Sequence, residues 1–460
     1  MLVALALLVA VAAPGTERIA GRWEGAIEVL GGTLGIAVDF KTAADGWQAT
    51  IDIPQQGAQG LALTAVRVEP PKVHFELPAG PGLAVFDGEL ADGVIRGSFR
   101  QAGVEGSFEL TPGTPKPEAT PEPPPPYKVE EVVVTSGEVK LAGTLTLPPK
   151  PGKHPAVVLL TGSGAQNRDE EIAGFKPFRL IADHLTRAGV VVLRCDDRGV
   201  GSSSGSLESV TSEDLAGDAL AALGFLKSRP EVDSARIGLL GHSEGGLLAV
   251  MAAGRSKDVG FIVLVSGPAV NGETLLRAQG EAIFRAEGKS EAEVQRLLAQ
   301  QARGFRVIRT GEGAEELAAE VRKETLAALA KLPPEQQKAM GDLGPFADRA
   351  VKGQMAALRS PWLKFFLDFD PTPALGQVRC PVLALFGEKD LQVPAEPNRK
   401  ALEAALARTG NKRVTVKVLP GANHLFQAAK TGSPSEYAML PKQFVPGFLE
   451  AIAGFVTAKR

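Results

Sequence analysis

Alternating apolar and polar positions recur over residues 18–110, and longer apolar runs replace them beyond residue 128. Segments such as Leu34–Phe40 and Lys72–Leu77 recur at a spacing of about 8 to 12 residues, with Gly, Pro and Asp between them, which is typical of short strands joined by turns. This pattern predicts an all-β domain, a small barrel or sandwich, over residues 18–110.

A proline-rich segment follows at residues 111–127, with eight prolines in seventeen residues. Such a composition favours an extended, semi-rigid chain without a packed core. We therefore interpret it as a linker between two domains.

Residues 128–460 predict an α/β domain. The domain begins with an expected antiparallel pair, Val129–Val134 and Val139–Leu147. Short apolar runs then alternate with helical stretches, a pattern that predicts a mostly parallel sheet covered on both faces. The predicted parallel strands are Ala156–Leu160, Val190–Arg194, Ile237–Leu240, Phe261–Val265, Pro381–Phe386 and Val414–Leu419.

One connection in this domain is much longer than the others. Between Ser266 and Val378 the sequence is rich in Ala, Leu, Glu, Lys and Gln with helical periodicity. We interpret residues 268–370 as a helical cap insertion, the alternative being helical decoration away from any site. Its most apolar end, Pro361–Leu367, is either a wall of a substrate pocket or part of the core.

Composition narrows the functional classes. The net charge of −3 carries little information by itself, but the sequence shows neither a basic field for nucleic acid nor a basic amphipathic segment for a membrane surface. Cys195 and Cys380 lie at the end of one predicted strand and the start of another, so we expect free, buried thiols. No Cys or His cluster has metal-ligand spacing, and neither a metal nor a cofactor is implied.

The apolar run Met1–Ala13 has the length of a signal-peptide core and ends in small residues, although it lacks the usual basic start. It is too short to span a bilayer. We expect a signal peptide over residues 1–13 and a periplasmic or secreted protein, the alternative being a cytoplasmic one with a packed or disordered N-terminus.

Two segments match G-x-S-x-G. Gly241–Gly245 lies between an apolar strand and a small-residue helix start, the setting of a nucleophile elbow. Gly201–Gly205 is followed by polar residues and predicts a flexible loop. Ser243 is therefore the candidate nucleophile.

A serine nucleophile needs a histidine base and a carboxylate that orients the base. In elbow enzymes these partners follow the serine in chain order, each in a loop after a strand. His424 follows the strand ending at Leu419, and Asp390 follows the strand ending at Phe386. Glu388 is the rival acid, and we favour Asp390 because it lies deeper in the loop.

Five motifs in this order resemble those of α/β-hydrolases of the bacterial serine-esterase kind, similar to carboxylesterases with an extra N-terminal β domain. The resemblance covers residues 128–460 and implies the triad Ser243, Asp390 and His424. The motifs are Leu160–Glu170, Asp196–Gly201, Gly241–Gly246, Gly387–Asp390 and Asn423–His424.

The same resemblance implies an oxyanion hole made of backbone N–H groups. Glu244 follows the nucleophile and supplies the first donor. Thr161-Gly162 stands where such enzymes have His-Gly, and we assign the second donor to Ser163. The Glu244 side chain is expected only to complement a helix N-terminus.

These features predict a carboxylesterase that forms an acyl-enzyme on small-molecule esters, most simply with short acyl chains, without nucleic acid and without stable membrane insertion. A serine peptidase or an acyltransferase on the same fold stays open, as does a non-catalytic binding protein, and the oligomeric state is not fixed by the sequence.

Two further groups have structural interpretations. Charged residues at Arg168–Glu170 and Asp196–Arg198 are expected to form ion pairs that fix the loops beside the oxyanion hole. Trp23 and Trp47 are expected to pack in the β core, with sugar stacking as the alternative.

Overall fold

A computed structural model describes residues 19–29, 32–43, 46–53, 58–78, 83–101, 104–114, 124–331, 337 and 342–458. The expected signal segment 1–13 lies outside these residues, as does most of the proline-rich segment. The chain divides into two compact units, Met1–Pro123 with Val321–Ala350, and Pro124–Glu320 with Val351–Arg460.

The N-terminal unit contains one antiparallel sheet of nine strands in the order β4-β3-β2-β1-β9-β8-β7-β6-β5. The edge strands β4 and β5 are consecutive and joined by the single residue Leu63, so the two edges of the sheet must meet. Of the two expected architectures, this connection specifies a barrel. The strands are β1 Gly21–Val29, β2 Gly32–Ala43, β3 Gly46–Ile53, β4 Ala58–Ala62, β5 Thr64–Glu69, β6 Lys72–Pro78, β7 Leu83–Ala91, β8 Val94–Gln101 and β9 Val104–Pro112.

Aromatic side chains fill the barrel interior. Phe75 stacks on Phe86 with centroids 4.5 Å apart, and Phe108 meets both rings edge-on. Trp23 is buried among these residues and its Nε1–H donates to the Ile19 carbonyl at 2.9 Å. Core packing is therefore the role of Trp23.

The second unit is built on an eight-stranded sheet with the order β10-β11-β13-β12-β14-β15-β16-β17. The pair β10–β11 is antiparallel, β11 pairs antiparallel with β13, and the strands from β13 onward are parallel. The strands are β10 Lys128–Ser136, β11 Val139–Leu147, β12 His154–Leu160, β13 Val191–Cys195, β14 Val232–His242, β15 Phe261–Val265, β16 Val382–Gly387 and β17 Val414–Leu419.

Helices cover this sheet on both faces. Two separate apolar clusters, one around Leu239 and Leu247 and the other around Val263 and Phe448, bury opposite sides of the strands. A sheet buried on both faces explains why its central strands read as continuous apolar runs. The flanking helices are α1 Pro177–Arg187, α2 Ser212–Lys227, α3 Glu244–Arg255, α10 Ala395–Arg408 and α11 Phe448–Thr457.

The long connection between β15 and β16 consists mainly of helices joined by short loops in the part that the structure describes. A capping box begins α5, where Ser290 Oγ accepts from the Glu293 N–H and the Glu293 carboxylate accepts from the Ser290 N–H. The helices are α4 Gly272–Ala286, α5 Glu291–Thr310, α6 Ala314–Leu329, α7 Gly344–Leu358, α8 Pro361–Asp368 and α9 Thr372–Leu375.

Both cysteines are free, as expected, but neither is fully buried as a residue. Cys195 ends β13 while Cys380 precedes β16, so the two residues lie at opposite ends of the parallel strands. Burial of the sulfur raises the pKa of the Cys195 thiol to about 12, so this thiol is an inert neutral group. Among the described helices, none is long and apolar enough to cross a membrane.

Candidate active site

Ser243 stands at the turn between β14 and α3, in a backbone conformation with φ 52° and ψ −122°. A positive φ is strained for a residue with a side chain, and at this position it turns the serine out of the strand before the helix begins. The Ser243 N–H donates to the Val265 carbonyl of the neighbouring strand at 2.9 Å. The predicted strand, turn and helix around Ser243 are therefore what the chain forms.

The glycines of this motif are required by packing. A Cβ on Gly241 would lie 1.9 Å from the Gly245 carbonyl oxygen, and a Cβ on Gly245 would lie 2.1 Å from the Leu160 carbonyl oxygen. Both separations are far below contact distance. The G-x-S-x-G spacing thus lets α3 begin directly against the end of β12.

The second G-x-S-x-G match does form a loop, but its centre is fixed to the sheet. Ser203 is buried; its Oγ accepts from the Ala142 N–H and donates to the Asp196 carbonyl, both at 2.9 Å. These two bonds correct the expectation of a flexible loop. They also occupy Ser203 in a structural role.

His424 and Asp390 lie in loops that follow adjacent strands, because Gly387 at the end of β16 pairs with Leu419 at the end of β17. The His424 Nδ1–H donates to Asp390 Oδ2 at 2.8 Å, and both side chains are buried. The sheet thus brings together two residues that are 34 positions apart in the chain.

The surroundings of Asp390 favour its charged form. Its Oδ1 accepts the N–H groups of Gln392 and Val393, each at 2.8 Å. Burial alone raises the pKa of Asp390, but the facing His424 and these donors outweigh it and hold the pKa below the ordinary value. Glu388 points elsewhere and accepts from the Gly421 N–H at 2.7 Å.

Asn423, which precedes the histidine, fixes the shape of this loop. It is fully buried, and its Oδ1 accepts from the backbone N–H groups of Leu425 and Gln427 at 3.0 and 2.9 Å. The sequence motif contained this residue, but its part in holding the His424 loop appears only in the folded chain.

The loop after β12 is held by two carboxylates, the buried Glu170 and the half-buried Asp197. The Gly162 N–H donates to Glu170 Oε1 at 2.7 Å, and Asp197 accepts from Thr161 Oγ1 and the Gln166 N–H at 2.7 and 2.9 Å. Because the Gly162 N–H is already engaged, Ser163 is the next backbone donor along this loop.

Ion pairs fix the neighbouring loops, as expected for the charged residues there, although Asp197 has neutral hydrogen-bond donors and no ion-pair partner among the described contacts. Arg168 pairs with Asp196, and Arg198 forms a two-bond pair with Asp218. Asp197 instead makes the hydrogen bonds already described. Its burial raises its pKa to about 7.

The Glu244 side chain does much more than complement a helix N-terminus. It is buried, and its Oε1 accepts from Ser212 Oγ at 2.5 Å and from Trp362 Nε1–H at 2.7 Å. Burial raises the pKa of this carboxyl. The bond to Trp362 joins the start of α3 to α8, a helix of the long connection between β15 and β16.

A cavity of about 470 Å³ opens beside these groups. Its lining includes Ser163 and Glu244, the two predicted oxyanion donors, and the Trp362 side chain at one wall. Most of the remaining surface is apolar, with contributions from Val210, Leu215 and Leu248. A mostly apolar hollow with a few polar groups is typical of a small-molecule site.

Two buried residues near Ser243, His242 and Glu170, form a contact whose partners the sequence did not specify, although Glu170 was expected to form an ion pair beside the oxyanion loop. The His242 Nδ1 lies 2.8 Å from Glu170 Oε1, and its Nε2 lies 3.0 Å from the His424 carbonyl oxygen. The residue before Ser243 thus contacts the backbone of the expected base. A glutamate 72 residues away from its partner offers no local sequence signal.

The described residues contain no group of three or more His, Cys, Asp or Glu side chains arranged to hold a metal ion.

Known proteins resemble this chain over most of its length. The model of the alpha/beta hydrolase family matches residues 157–438, more than half of the chain. Esterase EstD of Thermotoga maritima is 29% identical over 350 residues, which cover 75% of this chain and 70% of that protein. Human acyl-coenzyme A thioesterase 1 is 30% identical over a shorter stretch, 34% of each chain.

Among solved structures, an esterase of Pyrococcus furiosus aligns with 64% of this chain and 83% of its own, at 19% identity and a TM-score of 0.40.

Proposed function

The chain belongs to the alpha/beta hydrolase family, and from this premise we propose that it is a serine carboxylesterase with Ser243 as nucleophile, His424 as base and Asp390 as the orienting acid. One observation carries the proposal: the buried hydrogen bond between His424 and Asp390 lies at the carboxyl edge of the sheet that also carries Ser243 on a strained elbow. The similarity to an esterase over three quarters of the chain supports it.

The first half of the reaction forms an acyl-enzyme. His424 Nε2 takes the Ser243 proton while Ser243 Oγ attacks the ester carbonyl carbon. Asp390 holds the His424 Nδ1–H and stabilises the positive ring that forms. The Ser163 and Glu244 N–H groups receive the negative oxygen, and the alcohol leaves with the proton from His424.

The second half reverses these roles with water. His424 removes a proton from water, the resulting hydroxide attacks the acyl carbon, and Ser243 leaves with the proton returned by His424. No step needs a cofactor.

The cavity beside Ser163 and Glu244 is our proposed acyl pocket. Its apolar walls suit an alkyl group, while the Asp197 and Glu244 carboxyls interrupt the apolar surface and are costly to cover with a long chain. We therefore propose short acyl chains. A peptidase or acyltransferase activity would use the same groups and differ in the leaving group or the acceptor.

The test compares short p-nitrophenyl esters with aminoacyl-arylamides, and includes labelling by an organophosphonate. We expect ester hydrolysis that is lost in Ser243→Ala, and a covalent adduct on Ser243. Hydrolysis of the arylamides alone would establish a peptidase instead. No turnover of either series, together with no adduct, would establish a binding protein. Transfer of the acyl group to an added alcohol in excess over hydrolysis would establish an acyltransferase.

The expected export of the protein is a separate proposal. Fractionation of the producing cell, with N-terminal sequencing of the mature protein, tests it. A mature chain that still begins at Met1 in the cytoplasm contradicts it.

A further inference from the structure

His242 contacts two oxygen atoms, and when Glu170 is ionised both of them can only accept hydrogen bonds. The Nδ1 atom faces the Glu170 carboxylate oxygen at 2.8 Å, and the Nε2 atom faces the His424 carbonyl oxygen at 3.0 Å. A neutral imidazole has one N–H and can therefore donate only one of these hydrogen bonds. Both bonds form together when both ring nitrogens are protonated.

We propose that His242 is a buried imidazolium paired with Glu170, and that this pair positions the catalytic groups relative to one another. The positioning role rests on the proposed function, which assigns the roles of Ser243, His424 and Ser163. The protonation of His242 itself can be measured without any substrate.

The pair joins three segments through very few atoms. Glu170 Oε1 accepts from the Gly162 N–H as well as from His242, and Gly162 directly precedes Ser163. His242 directly precedes Ser243, and its second bond goes to the backbone of His424. One carboxylate oxygen and one ring therefore connect the oxyanion loop, the elbow and the loop that carries the base.

Burial makes the pair sensitive to the loss of either charge. Glu170 is 1% exposed and His242 is 5% exposed. Removing one partner of a buried ion pair leaves the other charge without compensation, which is much more costly than at a surface. Gly162 is also tightly enclosed, because a Cβ there would lie 3.1 Å from Glu170 Oε1 and 3.3 Å from Ser243 Cβ.

The groups around His242 favour its positive charge. The two carboxylates that raise its pKa are Glu170, in direct contact, and Asp390. The His424 ring is a further titratable neighbour, with its centroid 4.6 Å from that of His242 and its plane tilted by 48°. A small pocket at His242 and Glu170 is otherwise lined by apolar residues, among them Phe178, Val265 and Phe426. Burial lowers the pKa of His242, but Glu170, the His424 carbonyl group and Asp390 together outweigh this effect, and the net shift is upward.

This arrangement also suits the charge that moves during the reaction. When His424 takes the proton of Ser243 it becomes positive beside the His242 ring. Two carboxylates, Glu170 and Asp390, then face two imidazolium rings, so the buried group has no net charge. We expect a weakened pair to lower kcat more than it raises KM, because it disturbs the transition state more than substrate binding.

The direct test is nitrogen NMR of the full chain labelled with ¹⁵N-histidine. The chain has five histidines. Asn substitutions at His74, His154 and His184 assign three signals, and His424→Ala removes a fourth while keeping the carbonyl that accepts from His242. We expect the remaining ring to carry protons on both nitrogens at pH 7.5 and to titrate above the ordinary histidine value of 6.5. A ring with a single proton at pH 7.5 overturns the proposal.

The second test measures function in Glu170→Gln, whose amide oxygen can still accept from Gly162. The exposed neighbour Glu171, which pairs with Lys176 at the surface, gives the matched control Glu171→Gln. We expect Glu170→Gln to lower kcat about tenfold with KM within about twofold, and to move the alkaline limb of the pH profile to lower pH, while Glu171→Gln changes neither. Equal kinetics and pH profiles in the two variants overturn the positioning role.

The two proposals fail in different ways. An unchanged esterase activity in Ser243→Ala overturns the proposed function, while the NMR result on His242 still decides the ion pair. If Glu170→Gln does not fold, the protonation of His242 in the unmodified chain decides the proposal by itself.

Discussion

Asp390→Asn is the substitution for which the structure fixes the outcome most closely. In the native chain Oδ1 of Asp390 accepts two backbone N–H groups, from Gln392 and Val393, and Oδ2 accepts from His424. An asparagine has one oxygen and one NH₂ group in the same positions. Its oxygen is expected to take the place of Oδ1, since an NH₂ group there would face two donors.

The NH₂ group then faces His424 Nδ1 and donates to it. His424 must carry its proton on Nε2 instead, and a protonated Nε2 cannot accept the proton of Ser243. In serine proteases the corresponding change lowers kcat by about 10⁴-fold, which corresponds to about 5.5 kcal/mol of transition-state stabilisation. We expect a loss of this size here, with the geometry of the site retained.

The assay is hydrolysis of p-nitrophenyl butyrate, with thermal unfolding to verify that the variant folds. The matched control is Glu388→Gln, which replaces the rival acid two residues earlier and keeps an oxygen for the Gly421 N–H. We expect the control to retain activity within about threefold. A severe loss in Glu388→Gln together with a mild one in Asp390→Asn would refute the assignment of the acid.

Four further predictions follow from the same contacts. Ser243→Ala and His424→Ala are each expected to lower kcat by several orders of magnitude without unfolding the chain. Ester hydrolysis measures kcat, and circular dichroism verifies that each variant is folded. Retained turnover in either variant contradicts the proposed triad. Gly245→Ala is expected to lower the free energy of unfolding by at least about 3 kcal/mol, because its Cβ would lie 2.1 Å from a carbonyl oxygen. The control is Gly217→Ala in α2, where a Cβ meets open space, so this change is expected to be neutral or stabilising by up to about 1 kcal/mol. Urea unfolding measures both variants. The carboxyl of Asp197 has a pKa of about 7 and is neutral below that pH, so KM for a butyrate ester is expected to rise as the pH rises through 7. Asp197→Asn is expected to remove this rise. An unchanged pH profile of KM in the variant contradicts an acyl group in this cavity. A chain beginning at Pro124 is expected to fold and to cleave a small activated ester at a rate within about tenfold of that of the full chain, since all five proposed site residues lie beyond that point. An insoluble product contradicts this prediction, and so does an equally large loss of activity on small and bulky esters.

Stability is also expected to depend on pH through the two buried pairs. The pKa of Asp390 is lowered in the folded chain, so its contribution is present above the ordinary carboxyl value and is lost as the pH falls through the folded pKa. The pKa of His242 is raised, so its contribution is full below the ordinary value of 6.5 and is lost as the pH rises through the folded pKa. The two pairs therefore bound a pH range of maximum stability from opposite sides.

Much of the α/β unit could be predicted from the chain because its strands are buried on both faces. Such strands appear as uninterrupted apolar runs, and Phe261–Val265 and Val414–Leu419 have the same bounds in the structure as in the sequence prediction. The elbow was recognisable because its glycines are required by contacts within a few residues, such as that of Gly241 with the Gly245 carbonyl.

The N-terminal β region was predicted as strands but not as one architecture. Alternation shows which face of each strand is buried, and this pattern is the same in a barrel and a sandwich. What distinguishes them is the pairing of strands, and here it is the single-residue link between β4 and β5 that joins the two edges.

The sequence by itself determined the order of the elements, the residue types of the proposed triad and their placement in loops after strands, because these depend on local periodicity and turn chemistry. Only the tertiary structure decided what the buried polar groups do. Glu244 meets Trp362 across 118 positions, and Glu170 meets His242 across 72. A charged or polar side chain has the same local pattern whether it faces solvent or a distant partner, and burial, which makes the partner obligatory, is a property of the folded chain.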